Sequence, residues 1–192
     1  MSGSPRVISG RFRGRSLATP SGLATRPTSA RVREALFGIL GPLDGARVLD
    51  LYAGCGALSI EALSRGAAAA VLVERDRQAL AAIRGNLTAL SLSGEARVLA
   101  LSVERAFSAL EKEAPFDLVL CDPPWAEGER ALPALEKLAL GDKLRPGARV
   151  VLEHPSRETP HPPKGLTRYD QRSFGDTGLS FFRPAIYSAA EP

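Results

Sequence analysis

The sequence predicts an α/β protein built on a doubly wound, mostly parallel seven-stranded sheet, with an N-terminal β-hairpin extension. Three observations carry this. From Arg47 onward, short apolar runs alternate with stretches of helical periodicity, the pattern of repeated strand and crossover-helix units. The apolar runs are apolar on both faces, as strands covered on both sides of a sheet require. The chain then closes on two extended stretches about a glycine-containing turn, which add antiparallel strands at one edge.

Residues 6–10 and 15–18 flank Arg11-Phe12-Arg13-Gly14 and are expected as the two strands of the hairpin. Residues 19–27 form a Pro/Ser/Gly connector. Thr28 or Ser29 can cap the next helix, where Val32, Ala35, Leu36, Ile39 and Leu40 share a face, and Gly41-Pro42 ends it. The first parallel strand covers residues 47–52, a tight turn Ala53-Gly54-Cys55-Gly56 follows, and a helix runs over 58–64. Strands at 70–74, 96–100, 116–121 and 148–153 are each preceded or followed by a helix, at 77–90, 103–110 and 131–140. The closing hairpin pairs 166–174 with 179–187 through Gly175-Asp176-Thr177-Gly178. The expected division is a basic arm and connector over 1–27 and one domain over 28–192.

Charge is unevenly spread. Residues 1–34 contain Arg6, Arg11, Arg13, Arg15, Arg26, Arg31 and Arg33 against one acid, Glu34, a net +6. The whole chain carries +4, so the remainder is −2. A basic arm on a near-neutral domain is the footprint of a phosphate-bearing partner. No apolar run approaches the ~20 residues of a membrane span, and Met1 to Arg6 lacks the apolar stretch of a signal peptide, so a cytoplasmic location is expected. Cys55 and Cys121 are not spaced as a redox or zinc pair, and His154 and His161 are isolated; no metal is expected.

Two stretches carry chemistry. The first is Asp122-Pro123-Pro124-Trp125, at the carboxyl end of the 116–121 strand, where open α/β sheets bind ligands. The prolines cannot donate and hold φ near −65°, which stiffens the loop and leaves its carbonyls free to accept. An acidic oxygen, a fixed carbonyl and an aromatic plane suit an exocyclic base amine: Asp122 and the Pro123 carbonyl take its N–H groups while Trp125 stacks on the ring. The second is Asp50-Leu51-Tyr52-Ala53-Gly54-Cys55-Gly56, small residues where backbone must approach a ligand. Glu74, followed by Arg75, ends the next strand, where an acid holds a ribose diol in dinucleotide folds. Both a nicotinamide dinucleotide and S-adenosylmethionine fit. S-adenosylmethionine is favoured because position 59 is Ser59 rather than the last glycine of G-x-G-x-x-G, and Asp50 would repel a pyrophosphate but orient an ammonium.

Asp50 to Gly56, Glu74 and Asp122 to Trp125 resemble the cofactor and catalytic motifs of the class I amino-methyltransferases, which act on exocyclic nitrogens of bases. Arg6-Val7-Ile8-Ser9-Gly10, Arg13-Gly14-Arg15, Arg26-Pro27-Thr28, Arg31-Val32-Arg33-Glu34 and Leu63-Ser64-Arg65-Gly66-Ala67 are similar more narrowly to the bacterial RsmD family. The resemblance implies a Rossmann-like methyltransferase sheet, S-adenosylmethionine as cofactor and guanine N2 of small-subunit (16S) ribosomal RNA as target, within a partly or fully assembled subunit. A monomer is expected. Catalysis would fall to Asp122, Pro123, Pro124 and Trp125, and cofactor binding to Asp50, Ala53, Gly54, Gly56, Glu74, Arg75 and Asp122. Many relatives place an Asp or Asn after the third parallel strand to read the cofactor adenine; here Ser102 or the backbone at Val103 is the substitute. The rival functions are a DNA amino-methyltransferase, a methyltransferase of protein glutamine, and a noncatalytic RNA-binding assembly factor.

Overall fold

The computed structural model describes residues 4–20, 29–124 and 128–185. Seven strands form one sheet: β1 (Arg47–Leu51), β2 (Ala69–Glu74), β3 (Ala96–Ala100), β4 (Phe116–Cys121), β5 (Leu144–Pro155), β6 (Leu166–Phe174) and β7 (Thr177–Pro184). Their order is β3-β2-β1-β4-β5-β7-β6. The first five run parallel, while β7 pairs antiparallel with both β5 and β6. The strand sequence reverses direction between β1 and β4, so the crevice at a topological switch point opens at the carboxyl ends of those two strands.

Among the described residues, five α-helices cover the sheet: α1 (Ala30–Leu40), α2 (Ala57–Ser64), α3 (Arg77–Ala89), α4 (Val103–Leu110) and α5 (Gly128–Leu140). Strand alternation sorts the core into two layers. Val48, Leu72, Leu118, Leu120 and Val151 pack under α1, α2 and α3, and Leu49, Val71, Val119, Cys121 and Leu152 pack under α4 and α5. The caps follow from local chemistry: the Ser29 hydroxyl accepts from the Val32 amide at 3.2 Å, and the Asp76 carboxylate accepts from Gln78 and Ala79 at 2.9 and 2.8 Å. No described helix is long and apolar enough to cross a membrane.

The N-terminal hairpin is tighter than two strands. Its arms meet at a single antiparallel bridge, Arg6 to Ser16, around a 3₁₀ turn at Gly10–Phe12. The reason lies in what it packs against. Val7 and Leu17 are 2% and 1% exposed and belong to the α1–α3 core layer. Glu61, wholly buried on α2, accepts the amides of Ile8 (2.7 Å) and Ser9 (3.0 Å), and the Ser64 hydroxyl donates to the Ser9 carbonyl at 2.6 Å. Backbone groups that a longer ladder would pair are bound to α2 instead. Gly10 sits so close, at φ +80°, that an added Cβ would lie 1.8 Å from the Ser64 carbonyl oxygen.

Three boundaries differ from the sequence pattern. On α1, Ile39 is 38% exposed while Arg33 and Phe37 are buried, because this helix also faces the N-terminal turn and α2; the Arg65 guanidinium lies 5.0 Å over the Phe37 ring. The expected turn Arg145-Pro146-Gly147 is a bulge inside β5: the register passes from Phe116↔Leu144 to Leu118↔Arg149. The closing hairpin turns at Gly175-Asp176, a turn two residues shorter than expected, so β7 begins at Thr177; Tyr187, the expected end of that strand, lies outside the described residues.

Candidate active site

The carboxyl ends of β1, β2 and β4 bring Asp50, Glu74 and Asp122 to one end and one face of the sheet. In register, Asp50 pairs with Leu72 and with Leu120, so Glu74 and Asp122 each stand two residues farther along the flanking strands, on the same side of the pleat. The Asp122 amide donates to the Leu51 carbonyl at 3.4 Å, which ties the Asp-Pro-Pro loop to the strand bearing Asp50. Asp122 is half-buried, Pro123 buried and Pro124 exposed. Trp125 lies outside the described residues.

Asp50 is 1% exposed. One carboxylate oxygen, Oδ2, accepts the Ser59 amide (3.2 Å) and hydroxyl (2.7 Å). The other, Oδ1, is buried with no partner. Burial above all, joined by repulsion from Asp122 and Glu74, raises the carboxyl to about 7 despite the Ser59 bonds, which act the other way. Among the described residues, no arginine or lysine is a main influence on it. An orphaned carboxylate oxygen flanked by two more carboxylates calls for a cationic ligand, and S-adenosylmethionine brings an ammonium and a sulfonium. The residues present therefore fit this cofactor. Ser59, the residue that breaks the glycine pattern, is what orients Asp50.

The turn after β1 is shaped for close approach. Tyr52 stands at φ +65°, unusual for a bulky residue. Gly54 and Gly56 also have positive φ; an added Cβ at Gly56 would press within 3.2 Å of Leu72, whereas nothing lies within 4 Å of one at Gly54. The Ala53 amide donates to the Val73 carbonyl at 3.0 Å. Glu74 holds the other side: Oε2 accepts the Gly54 amide at 2.8 Å, and Oε1 accepts those of Arg75 (2.7 Å) and Asp76 (2.9 Å). Oε1 is thereby fully engaged, and Oε2 keeps a lone pair for a ribose hydroxyl. Arg75 is exposed at the rim. Ser102 is the N-cap of α4 but makes no side-chain capping bond, and Val103 is buried behind it.

Two buried polar side chains that the sequence pattern does not single out complete the support. Asn86 on α3 donates through Nδ2 to the carbonyls of Cys55 and Ala18, both at 3.0 Å, and its Oδ1 accepts the Ala18 amide at 2.8 Å. Glu61 anchors the N-terminal turn as described above. Their only signal in the sequence is a polar residue on an otherwise apolar helical face.

The arginines of the basic arm separate. Arg33 is 1% exposed: its Nη2 donates to the Arg6 carbonyl at 2.9 Å while Nε and Nη1 have no partner. It is enclosed between α1 and the N-terminal turn, so it is not the phosphate contact expected of it. Arg11 pairs with Glu95, Arg15 reaches the Ala89 carbonyl at 3.4 Å and Arg6 the Gly14 carbonyl at 3.2 Å. Arg13 and Arg31 are exposed. Arg26 lies outside the described residues. A cleft of about 580 Å³ lined by Ser9, Arg11, Asp44, Ser64 and Glu95 opens beside the 3₁₀ turn, and none of Asp50, Glu74 and Asp122 lines it. It sits at the amino ends of the strands, opposite the acids.

Comparison with known proteins agrees with this geometry. Residues 5–183 match the family described as Conserved hypothetical protein 95. YlbH of Bacillus subtilis is 39% identical over 184 residues, covering 93% of this chain and 98% of its own. The Escherichia coli protein named ribosomal RNA small subunit methyltransferase D is 45% identical over 128 residues, 66% of this chain and 63% of that one. The solved structure of the hypothetical protein TTHA0928 from Thermus thermophilus superposes with a TM-score of 0.77 at 34% identity, covering 92% of this chain and 98% of that one. With a matching fold and a family match over nearly its whole length, the chain belongs to the Conserved hypothetical protein 95 family, the RsmD family, and is an S-adenosylmethionine-dependent methyltransferase.

Proposed function

We propose that this enzyme methylates the exocyclic N2 of a guanine in small-subunit (16S) ribosomal RNA. The observation that carries the proposal is the position of Asp122: it is half-buried at the topological switch point, bonded through its amide to Leu51, and close enough to Asp50 to raise that carboxyl. The name of the Escherichia coli relative supports the RNA, and the resemblance of Asp122-Pro123-Pro124-Trp125 to amino-methyltransferase motifs supports the guanine amine.

The cofactor, when bound, supplies an electrophilic methyl group. The chain's own residues do the rest. Asp50, Gly54 and Glu74 hold the cofactor's polar ends, with Ala53 and Gly56 shaping the turn, Ser102 and Val103 beside the adenine and Arg75 at the rim. The guanine amine is a weak nucleophile because its lone pair is delocalised into the ring. The Asp122 carboxylate and the Pro123 carbonyl accept its two N–H groups, keep electron density on nitrogen and aim it along the transfer line. Asp122 takes the proton as the methyl arrives. Pro123 and Pro124 hold the carbonyl where it is needed, and Trp125 stacks on the base. A stacked base cannot enter this crevice, so the target is a loop nucleotide or is flipped out.

Arg6, Arg11, Arg13, Arg15, Arg26 and Arg31 contribute phosphate contacts that position the RNA without reading its sequence. The basic arm and connector over 1–27 thus serve the substrate and 28–192 the chemistry. The working form in this proposal is a cytoplasmic monomer acting on RNA within a partly or fully assembled subunit.

The test is transfer of labelled methyl from S-adenosylmethionine to naked small-subunit RNA, to partly assembled subunits and to duplex DNA, with nucleoside analysis of the product. The expected product is N2-methylguanosine from an RNA substrate. Label in methyladenine or methylcytosine of DNA would overturn the proposal.

A further inference from the structure

One buried acid at the carboxyl end of the sheet has been given no role in the site described above. Glu153, 8% exposed, follows Leu152 on β5. Leu152 is paired in parallel register with Cys121, the residue before Asp122. Continuing that register puts Glu153 and Asp122 side by side at the same height. They also share a face. On β4, Leu118 and Leu120 lie in the α1–α3 layer and Asp122 continues their parity; on β5, Val151 lies in that layer, as does Leu179, the antiparallel partner of Glu153. Adjacent strands stand roughly 4.8 Å apart, so the two residues rise from the sheet at a spacing suited to neighbouring N–H groups on one base edge.

We propose that Glu153 accepts the N1–H of the target guanine beside the N2 amine held by Asp122, and so restricts this site to guanine. The inference rests on the guanine-N2 proposal above and deepens it. Guanine presents N1–H and N2–H as adjacent donors on its Watson–Crick edge. Adenine and cytosine each present an acceptor nitrogen next to the exocyclic amine. That lone pair would face the Glu153 carboxylate, and a buried carboxylate opposed to an acceptor is strongly disfavoured. The unpartnered Oδ1 of Asp50, on the same face, marks the cofactor half of the same crevice as one completed by a ligand. A single carboxylate beside an amine would not separate the three amino bases; two side by side do.

The test uses small-subunit RNA whose modified position, first mapped with unsubstituted RNA, carries either guanine or 2-aminopurine. The analogue keeps the N2 amine but has an acceptor at N1. Wild type should prefer guanine by roughly a hundredfold or more in kcat/KM, as sites built around a donor reject analogues lacking it. In Glu153→Gln the amide can donate to N1 of the analogue, so the preference should fall by about tenfold or more. Glu153→Asp should retain the wild-type preference at reduced rate, and cofactor titration should show unchanged binding in both variants. If Glu153→Gln slows both bases by the same factor, or leaves their ratio unchanged, Glu153 does not read N1 and this inference fails while guanine N2 stands. If wild type makes no N2-methylguanosine on unsubstituted RNA, the guanine proposal fails and this inference with it.

Discussion

Asn86 reaches out of α3 to the carbonyl of Cys55, 3.0 Å away, and so fixes the glycine turn after β1, the proposed cofactor turn. The same amide clasps both backbone groups of Ala18. One side chain, 4% exposed, therefore couples the N-terminal segment to the cofactor turn. Asn86→Ala leaves the buried Cys55 carbonyl and the part-buried carbonyl and amide of Ala18 without this partner. At 1–3 kcal/mol for each group left unsatisfied, with partial relaxation, the cost is roughly 3 kcal/mol. The transition midpoint should drop by roughly 6–12 °C in thermal unfolding. Cofactor affinity should fall as well, because the Cys55 turn loses its tether; a titration that finds affinity unchanged in the folded variant would sever the coupling.

Asp50 makes stability and cofactor binding respond to pH in opposite senses. Its carboxyl is raised to about 7, first by burial. The folded chain thus keeps a proton that the unfolded chain has released between about pH 4 and 7, so this group's contribution to stability falls as pH rises through that window. Above pH 7 the accumulated cost is roughly 4 kcal/mol relative to an unshifted carboxyl. The cofactor ammonium selects the ionised form, so wild-type affinity should tighten as pH rises from 6 to 8. In Asp50→Asn both slopes should vanish. Chemical denaturation and cofactor titration across this range, taken as differences between the two proteins, isolate this group from others that titrate nearby.

Asp122 is assigned to the transfer step rather than to holding the cofactor. Asp122→Ala should lower kcat by roughly a hundredfold or more, the usual scale for a positioned proton acceptor. Relief of the repulsion that Asp122 exerts on Asp50 should leave cofactor affinity equal or slightly tighter. Retained turnover would remove Asp122 from catalysis, and lost cofactor binding would reassign it.

The parallel sheet was legible because buried strands announce themselves as two-faced apolar runs, and β3, α4 and β6 have the expected boundaries. Asp50, Glu74 and Asp122 were legible because acids at strand ends stand out against those runs. What was not legible depends on packing between distant segments. Arg33 counts as one more basic residue in the sequence, and only the closure of the N-terminal turn over α1 buries it. Residues 6–18 read locally as a self-paired hairpin because nothing local shows that Glu61, over fifty residues away, will take the amides of Ile8 and Ser9. Ser59 looked like a defect in a glycine motif, whereas it donates twice to Asp50.

Two glycines in the N-terminal turn separate conformational strain from crowding. Gly10 and Gly14 have φ of +80° and +83°, so alanine is strained at both. At Gly14 nothing lies within 4 Å of the new methyl group, and Gly14→Ala should cost only about 1–2 kcal/mol. At Gly10 the methyl would overlap the Ser64 carbonyl, so the turn must lift from α2 and the cost should reach about 3 kcal/mol or more. Limited proteolysis should cut Gly10→Ala, but not Gly14→Ala, within the first 20 residues.

The arginines should divide by burial when RNA binding is measured against salt. Arg13 and Arg31 are exposed and available to phosphate. Replacing either with Ser should reduce the slope of log affinity against log salt by roughly 0.7–0.9, one phosphate contact each. Arg33→Met should leave that slope unchanged, because a guanidinium enclosed under the Arg6 carbonyl releases no counterion when RNA arrives. Its effect should appear instead in stability. Burial holds its guanidinium below the ordinary arginine range against the pull of Glu61, so a methionine of similar length, which needs no partner there, should be tolerated to within about 1–2 kcal/mol. A slope reduced as much by Arg33→Met as by Arg31→Ser would mean that the N-terminal turn opens to expose Arg33 when RNA binds.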